Sequence, residues 1–278
     1  MIYLVLAITC STVISVIMRS TESRRSSAAG FSVANYIVCI ALSALYIPKG
    51  SAALGNSGTG LALILGTISG ILYLLSLVIH MKSIEKNGVV LSSVFMRLGI
   101  VVTVLMSIFV FGEHPGLKQI AGIILAVSAI VILNFDKEGL RVNGSVPLLF
   151  ILFSVSGATE CMLNIYDNTG NPELGSTYLL TTFSAALVSA AVLWLSKKEK
   201  ISRYDILFGA LLGIPNYYSS RFMMLALKEV PNVIAYPLYS VLTIVATGTI
   251  GVLVFKEKLT ALKIAGLAAV ICALVLLQ

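Results

Sequence analysis

Phe111-Gly112-Glu113, followed by Ile120-Ala121-Gly122, returns as Phe255-Lys256-Glu257 and Ile264-Ala265-Gly266 when the chain is shifted by 144 residues. The same shift lays Leu133 on Leu277 without a gap, Glu85 on Glu229 and Val89 on Val233. Glycine pairs at GxxxG spacing also recur, Gly66/Gly70 and Gly209/Gly213, one residue out of register. Small residues at that spacing let two membrane helices approach closely. A repeat of this length is the mark of a duplicated structural unit.

The repeated unit is made almost wholly of apolar runs. Of 278 residues only 31 are charged, 19 basic and 12 acidic, while 58% are hydrophobic. A soluble domain carries about a quarter charged residues, so this chain could not cover its surface in water. The composition excludes a water-soluble enzyme, a nucleic-acid binder and a disordered chain. A helix needs about 20 apolar residues to cross a bilayer. Ten such spans are read, at 2–18, 30–47, 60–80, 88–111, 116–133, 146–164, 176–195, 206–227, 233–255 and 261–277. The runs lack the alternation of barrel strands, so they are helices. The breaks carry turn chemistry: Ile47-Pro48-Lys49-Gly50, His114-Pro115-Gly116 and Gly170-Asn171-Pro172.

Ten spans in two copies give five per copy. An odd number sends the second copy into the membrane the opposite way. The expected fold is therefore all-α and integral to the membrane, with ten transmembrane helices arranged as two inverted five-helix repeats, residues 1–141 and 142–278. Inverted repeats are the architecture of many secondary transporters, in which two similar halves exchange conformations to alternate access to a site near the midplane.

The net charge of +7 does not mark a nucleic-acid surface, because the basic residues lie between apolar runs. There they set topology. Connections after odd-numbered spans, with their adjoining span ends, hold fourteen Lys and Arg; those after even-numbered spans hold Lys49, Lys118 and Lys228. The count puts both termini outside. Met1-Ile2-Tyr3-Leu4 has no basic lead-in, so the first run is expected to be a span and not a cleaved signal. The expected location is the plasma (inner) membrane. Cys10, Cys39, Cys161 and Cys272 all sit in apolar runs without metal-ligand spacing, so neither a disulfide framework nor a metal site is implied.

The run Phe111-Gly112-Glu113-His114-Pro115-Gly116-Leu117-Lys118-Gln119-Ile120-Ala121-Gly122, repeated by Phe255, Glu257 and Gly266, resembles the end-of-repeat signature of EamA-type proteins of the drug/metabolite transporter superfamily. The resemblance extends over the whole chain as an architecture of ten spans and short loops. It implies a basket of ten helices around a central cavity lined by spans 1, 3, 4, 6, 8 and 9. Relatives move amino acids, sugars, nucleotide sugars, choline-like cations and drugs, so no substrate is inherited. Relatives are often described with cytoplasmic termini, and the charge count here argues the reverse.

An ionisable side chain deep in a span costs about 2.5–3.5 kcal/mol on insertion scales, so it needs a partner or a task. Three qualify: Arg97, Glu160 and Arg221. Glu160 is the one carboxylate well inside an apolar run, and is a candidate for a substrate cation or a coupling proton or cation; the alternative is a structural ion pair with Arg97. Arg97, near mid-membrane, suits a substrate carboxylate or phosphate through its planar fork, or that same pair. Arg221, closer to a span end, can instead snorkel.

Gly213-Ile214-Pro215-Asn216-Tyr217-Tyr218-Ser219-Ser220-Arg221 is the most polar stretch of any span. Pro215 removes a backbone donor. Asn216 and Tyr217 add hydrogen-bonding groups to a cavity wall. Pro237 is flanked by Tyr236 and Tyr239, whose rings can stack on a ligand or face a cation, or belong to an interface belt. Asn35 and Tyr36 are weaker candidates, His80 is expected at the water boundary, and Glu113 and Glu257 are read as caps or loop contacts.

No HExxH, GxSxG or P-loop pattern is present, and Gly55-Asn56-Ser57-Gly58-Thr59-Gly60 lacks the lysine of a phosphate loop. The expectation is no enzyme, no cofactor and no nucleic-acid partner. The expected partners are a small-molecule substrate, the lipid bilayer and a coupling proton; the short loops neither require nor exclude a dimer. The reading placed first is an alternating-access exporter of an amino-acid-like or carboxylated metabolite. A transporter of cationic drugs or quaternary amines is second. A non-transporting membrane scaffold is the rival from another class.

Overall fold

A computed structural model describes residues 1–21, 27–47, 58–87, 89–133 and 145–253, with 265–266, 268–269, 272–273 and 275–276 beyond them. Every regular element among these is helical. They are α1 (Ile2–Thr21), α2 (Ala28–Leu45), α3 (Thr59–Asn87), α4 (Val89–Leu98), α5 (Ile100–Phe109), α6 (Leu117–Leu133), α7 (Val146–Thr169), α8 (Gly175–Lys197), α9 (Arg203–Leu227) and α10 (Asn232–Leu253). Five segments are long and apolar enough to cross a membrane: Ala28–Leu45, Thr59–His80, Val146–Thr169, Pro172–Lys197 and Asn232–Ile250. Ile2–Met18, Phe95–Phe109 and Leu117–Ala129 are shorter apolar helices.

The helices follow the first nine predicted spans, with three differences. The fourth is broken at Gly99 into α4 and α5. The third continues to Asn87, which draws His80 away from the helix end. The sixth continues to Thr169. Most of the tenth span lies outside the described residues, as do Phe255, Lys256 and Glu257 of the repeat.

The helix ends obey the local chemistry of the sequence. Ser27 caps α2 by accepting from the Gly30 amide. Ser202 and Asp205 form a reciprocal capping box on α9. Asn171 accepts from the Glu173 amide to start the 3-10 turn Pro172–Leu174, which leads into α8. Outward-facing apolar side chains recur at helical spacing, as at Ile64, Ile68 and Ile71 on α3 and Val188, Val192 and Leu195 on α8. Such stripes suit hydrocarbon as the surrounding solvent.

The chain divides into two compact units, Met1–Leu74 with Ile165–Lys228, and Leu75–Asn164 with Glu229–Gln278. Each draws on both sequence halves. In the first unit, α9 packs on α1 and α2, and α8 packs on α2. Both GxxxG pairs are close crossings here. A Cβ on Gly66 would meet the Tyr178 carbonyl and Thr181, and one on Gly70 the Thr182 carbonyl and Ala185. A Cβ on Gly209 would meet the Phe31 carbonyl and Ala34, and one on Gly213 the Asn35 carbonyl and Val38. The two crossings share one pattern: a carbonyl, then the side chain three residues later. In the second unit α10 packs on α5 and α6, and α4 on α6.

Candidate functional site

In the second unit the chemistry is organised by a contact between two glycines. Gly99 carries no side chain because the backbone of α7 occupies that space: a Cβ there would lie 2.7 Å from the Gly157 amide nitrogen. A Cβ on Gly157 would lie 2.6 Å from Val102 Cγ2 and 2.8 Å from the Gly99 carbonyl oxygen. Around Gly99 the ladder tightens to i→i−3 bonds, Gly99 N to Met96 O at 3.2 Å and Val102 N to Gly99 O at 2.9 Å. Short 3-10 stretches within a helix mark strain or a hinge.

Arg97 precedes this crossing on the last turn of α4, and Glu160 follows it by one turn on α7. The two charges lie within each other's field, with Tyr239 and His80 also in that of Arg97. Among the described residues no ion pair joins Arg97 to Glu160. Glu160 Oε2 is closed off from solvent and has no hydrogen-bond partner, and the same is true of His80 Nε2. On α10, Thr243 and Thr247 follow Tyr239 at four-residue spacing, and their hydroxyls are also buried without a partner. Tyr236 is buried on the same helix, next to Pro237. Buried polar atoms are nearly always paired, so Glu160 Oε2, His80 Nε2 and the two threonine hydroxyls make the second unit the candidate region.

A polar ladder runs on from Glu160. Cys161 Sγ donates to Thr103 Oγ1 at 3.5 Å. Asn164 Nδ2 donates to Ser107 Oγ at 2.8 Å and to the Thr103 carbonyl at 3.4 Å. Asn232 Nδ2 donates to Asn164 Oδ1. Glu113 closes the ladder, accepting from the Asn232 amide at 3.2 Å and the Val233 amide at 2.8 Å. It is thus the cap of α10, the role read for it from sequence, and a carboxylate suits the positive end of a helix.

The remaining predicted residues gather in the first unit. Asn216 Nδ2 donates to Asn35 Oδ1 at 3.2 Å, and the Cys39 thiol donates to the Gly213 carbonyl at 3.3 Å. The helix runs through Pro215 without a break. Tyr217 is fully buried, stacked on Tyr46 with ring centroids 5.9 Å apart. The Arg221 guanidinium carbon lies 4.0 Å from the centroid of the Tyr46 ring. Its Nη1 donates to Tyr217 Oη at 3.3 Å and Ser176 Oγ at 3.4 Å. Arg221 is therefore engaged by neighbouring side chains.

The structure thus brings Arg97, Glu160 and Tyr239 together in one unit and Asn216, Tyr217 and Arg221 together in the other. Tyr46, Ser176, Asn164, Asn232, Thr243, Thr247 and the Gly99–Gly157 pair were not singled out from sequence. His80, expected at the water boundary, has a sealed nitrogen because α3 continues beyond it. Only the four-residue spacing of Tyr239, Thr243 and Thr247 is a signal a sequence reader could have followed.

Residues 1–135 match the model of the EamA-like transporter family, and residues 176–270 match that of the Small Multidrug Resistance protein family. An uncharacterized protein of Haemophilus influenzae is 24% identical over 290 aligned positions, covering 97% of this chain and 96% of its own. A protein crystal structure superposes with a TM-score of 0.75 at 14% identity, covering 99% of this chain and 94% of its own, a likeness of fold.

Proposed function

From a chain that fits the EamA-type drug/metabolite transporter superfamily, we propose a secondary active transporter that moves a small carboxylated or amino-acid-like metabolite outward by alternating access. Its ten spans form two inverted five-helix repeats in the plasma membrane, with both termini outside. Arg97 and Arg221 are the two cations that can hold the substrate's anionic group. Glu160 takes up and releases the coupling proton or cation. The further recognition residues are Asn216, Tyr217 and Arg221 in the first unit and Tyr236 and Tyr239 in the second.

One observation carries this reading. Two opposite charges flank a glycine crossing, Arg97 two residues before Gly99 and Glu160 three after Gly157, and among the described residues no ion pair joins them. Holding a charge in a span is costly, and a structural pair would have closed that cost by direct contact. Glu160 Oε2 instead stands unpartnered. A scaffold gains nothing from that arrangement, whereas a transporter needs groups whose partners come and go. The glycine contact brings the helix carrying Arg97 and the helix carrying Glu160 close together, with Val102 packed against Gly157.

The test is counterflow and pH-gradient-driven flux in proteoliposomes, using a panel of radiolabelled amino acids and short carboxylates. Wild type is expected to move at least one of them. Glu160→Gln should lose the response to the pH gradient, and Arg97→Gln should raise the half-saturating concentration about tenfold or more, as for loss of a charged hydrogen bond. Flux that is unchanged in both variants would remove these two residues from the mechanism.

A second reading, export of cationic drugs or quaternary amines, is supported by the match of residues 176–270 to the Small Multidrug Resistance family. In that case a quaternary amine, and no carboxylate, is the solute moved, with Glu160 as its counter-ion.

A further inference from the structure

We propose that Arg221, seated over the Tyr46 ring, is a pre-organised carboxylate receptor in the first unit, with Tyr46, Tyr217 and Ser176 as its positioning residues. This rests on the transporter reading above and assigns the group that holds the substrate's carboxylate.

The geometry is that of a fork held by the protein through one nitrogen, with no protein acceptor on the other two among the described residues. Arginine's guanidinium is planar and stacks on aromatic faces. Here the Tyr46 ring provides the face, 4.0 Å from the guanidinium carbon. That ring is itself fixed: Tyr46 Oη and Tyr218 Oη share a hydrogen bond at 3.1 Å, and Tyr217 stacks on it. Nη1 is tied down by Tyr217 Oη and Ser176 Oγ. Three helices thereby set the plane: Tyr46 follows the end of α2, Ser176 lies at the start of α8, and Tyr217 is one turn back on α9.

Nη1 is the one nitrogen so engaged; Nε and Nη2 donate to no protein group among the described residues. Neither is among the sealed atoms without a partner, so the protein does not fully close off that edge. Two parallel N–H donors on one edge match the two oxygens of a carboxylate. A structural arginine would turn that edge toward a carbonyl, an acid or the membrane interface. No Asp or Glu forms an ion pair with it among the described residues. Pre-organisation matters for affinity, because the rotamer entropy of a long side chain is lost before the ligand arrives.

The experiment is a thermal-stability titration of the full-length detergent-purified protein with the proteinogenic L-amino acids, each beside its carboxamide. Inorganic phosphate is run as the other oxyanion. Wild type is compared with Arg221→Lys, which keeps the charge and loses the fork, and with Tyr46→Leu and Tyr46→Phe. The expected result is that at least one amino acid raises the melting temperature and its carboxamide does not. Arg221→Lys and Tyr46→Leu should weaken its apparent affinity by about tenfold or more, while Tyr46→Phe, which keeps the ring, retains most of it. Any of three outcomes overturns the proposal: no amino acid binds, the carboxamide binds equally well, or affinity survives in both Arg221→Lys and Tyr46→Leu. Stabilisation by phosphate alone also overturns it, in favour of a phosphate site. If these fail while Glu160→Gln still abolishes gradient-driven flux, the receptor assignment falls and the transporter reading stands; if flux is absent from wild type, it is the transporter reading that falls.

Discussion

Gly99 and Gly157 meet backbone to backbone, so close that a Cβ on the first would sit 2.7 Å from the amide nitrogen of the second. Arg97 and Glu160 flank that contact, and their placement depends on it. Alanine at Gly157 must displace Val102 and the Gly99 carbonyl, both under 3.0 Å away. Overpacking of this kind costs about 1–3 kcal/mol. Gly157→Ala should lower the melting temperature by several degrees and reduce flux even where the protein stays folded, because α7 is pushed away from Arg97. Alanine at Gly116, where an added Cβ meets nothing within 4 Å, is the control and should leave both readouts near wild type.

Glu113 receives two amide donors at the start of α10, from Asn232 and Val233. Glu113→Gln keeps one acceptor oxygen and loses the charge that favours the positive helix end. The expected cost is about 1 kcal/mol, read as a lower midpoint in thermal unfolding. Glu257 lies outside the described residues, but the 144-residue shift sets it opposite Glu113. The repeat therefore predicts a loss of similar size for Glu257→Gln. A loss at Glu113 with none at Glu257 would show that the two copies have diverged at this turn.

Asn164 and Asn232 form the middle of the polar ladder, both fully or nearly fully buried. Removing Asn164 takes away the acceptor of the Asn232 side-chain amide, and removing Asn232 takes away a donor to Asn164 Oδ1. Asn164→Leu or Asn232→Leu should each cost about 1–3 kcal/mol. The double replacement should cost less than the sum of the two, since no orphaned amide is left between them. A double-mutant cycle on thermal or denaturant unfolding measures the coupling, and strict additivity would deny the ladder its role.

The course of the helices was legible in the sequence because hydrocarbon leaves the backbone little choice. Nine runs between turn-forming residues correspond to helices, and both GxxxG pairs are crossings. Such a pair declares itself because both glycines lie in one run. Gly99 and Gly157 do not: each is a single glycine, and only the folded chain brings them together. Tyr46 was hidden for a different reason, since a tyrosine at a span end reads as an interface residue. Nothing in the spacing says that Arg221 comes to rest on it. The charged residues were found because an ionisable group in an apolar run is conspicuous; their partners were not, because hydroxyls and amides are unremarkable in sequence until they are buried.

The last prediction separates a structural role for Glu160 from a working one. If Glu160 served to neutralise Arg97, replacing it would strand a buried cation, and breaking such a pair costs about 3–5 kcal/mol. The structure holds no ion pair between them to break, among the described residues. It holds a buried oxygen, Oε2, with no partner. Glu160→Gln is nearly isosteric and removes a charge that is costly in the span. Thermal unfolding of the unliganded protein should therefore show a midpoint equal to or above wild type, while gradient-driven flux is lost. A fall of many degrees in Glu160→Gln, matched in Arg97→Gln, would instead place the two side chains in a structural pair and return the chain to the scaffold reading.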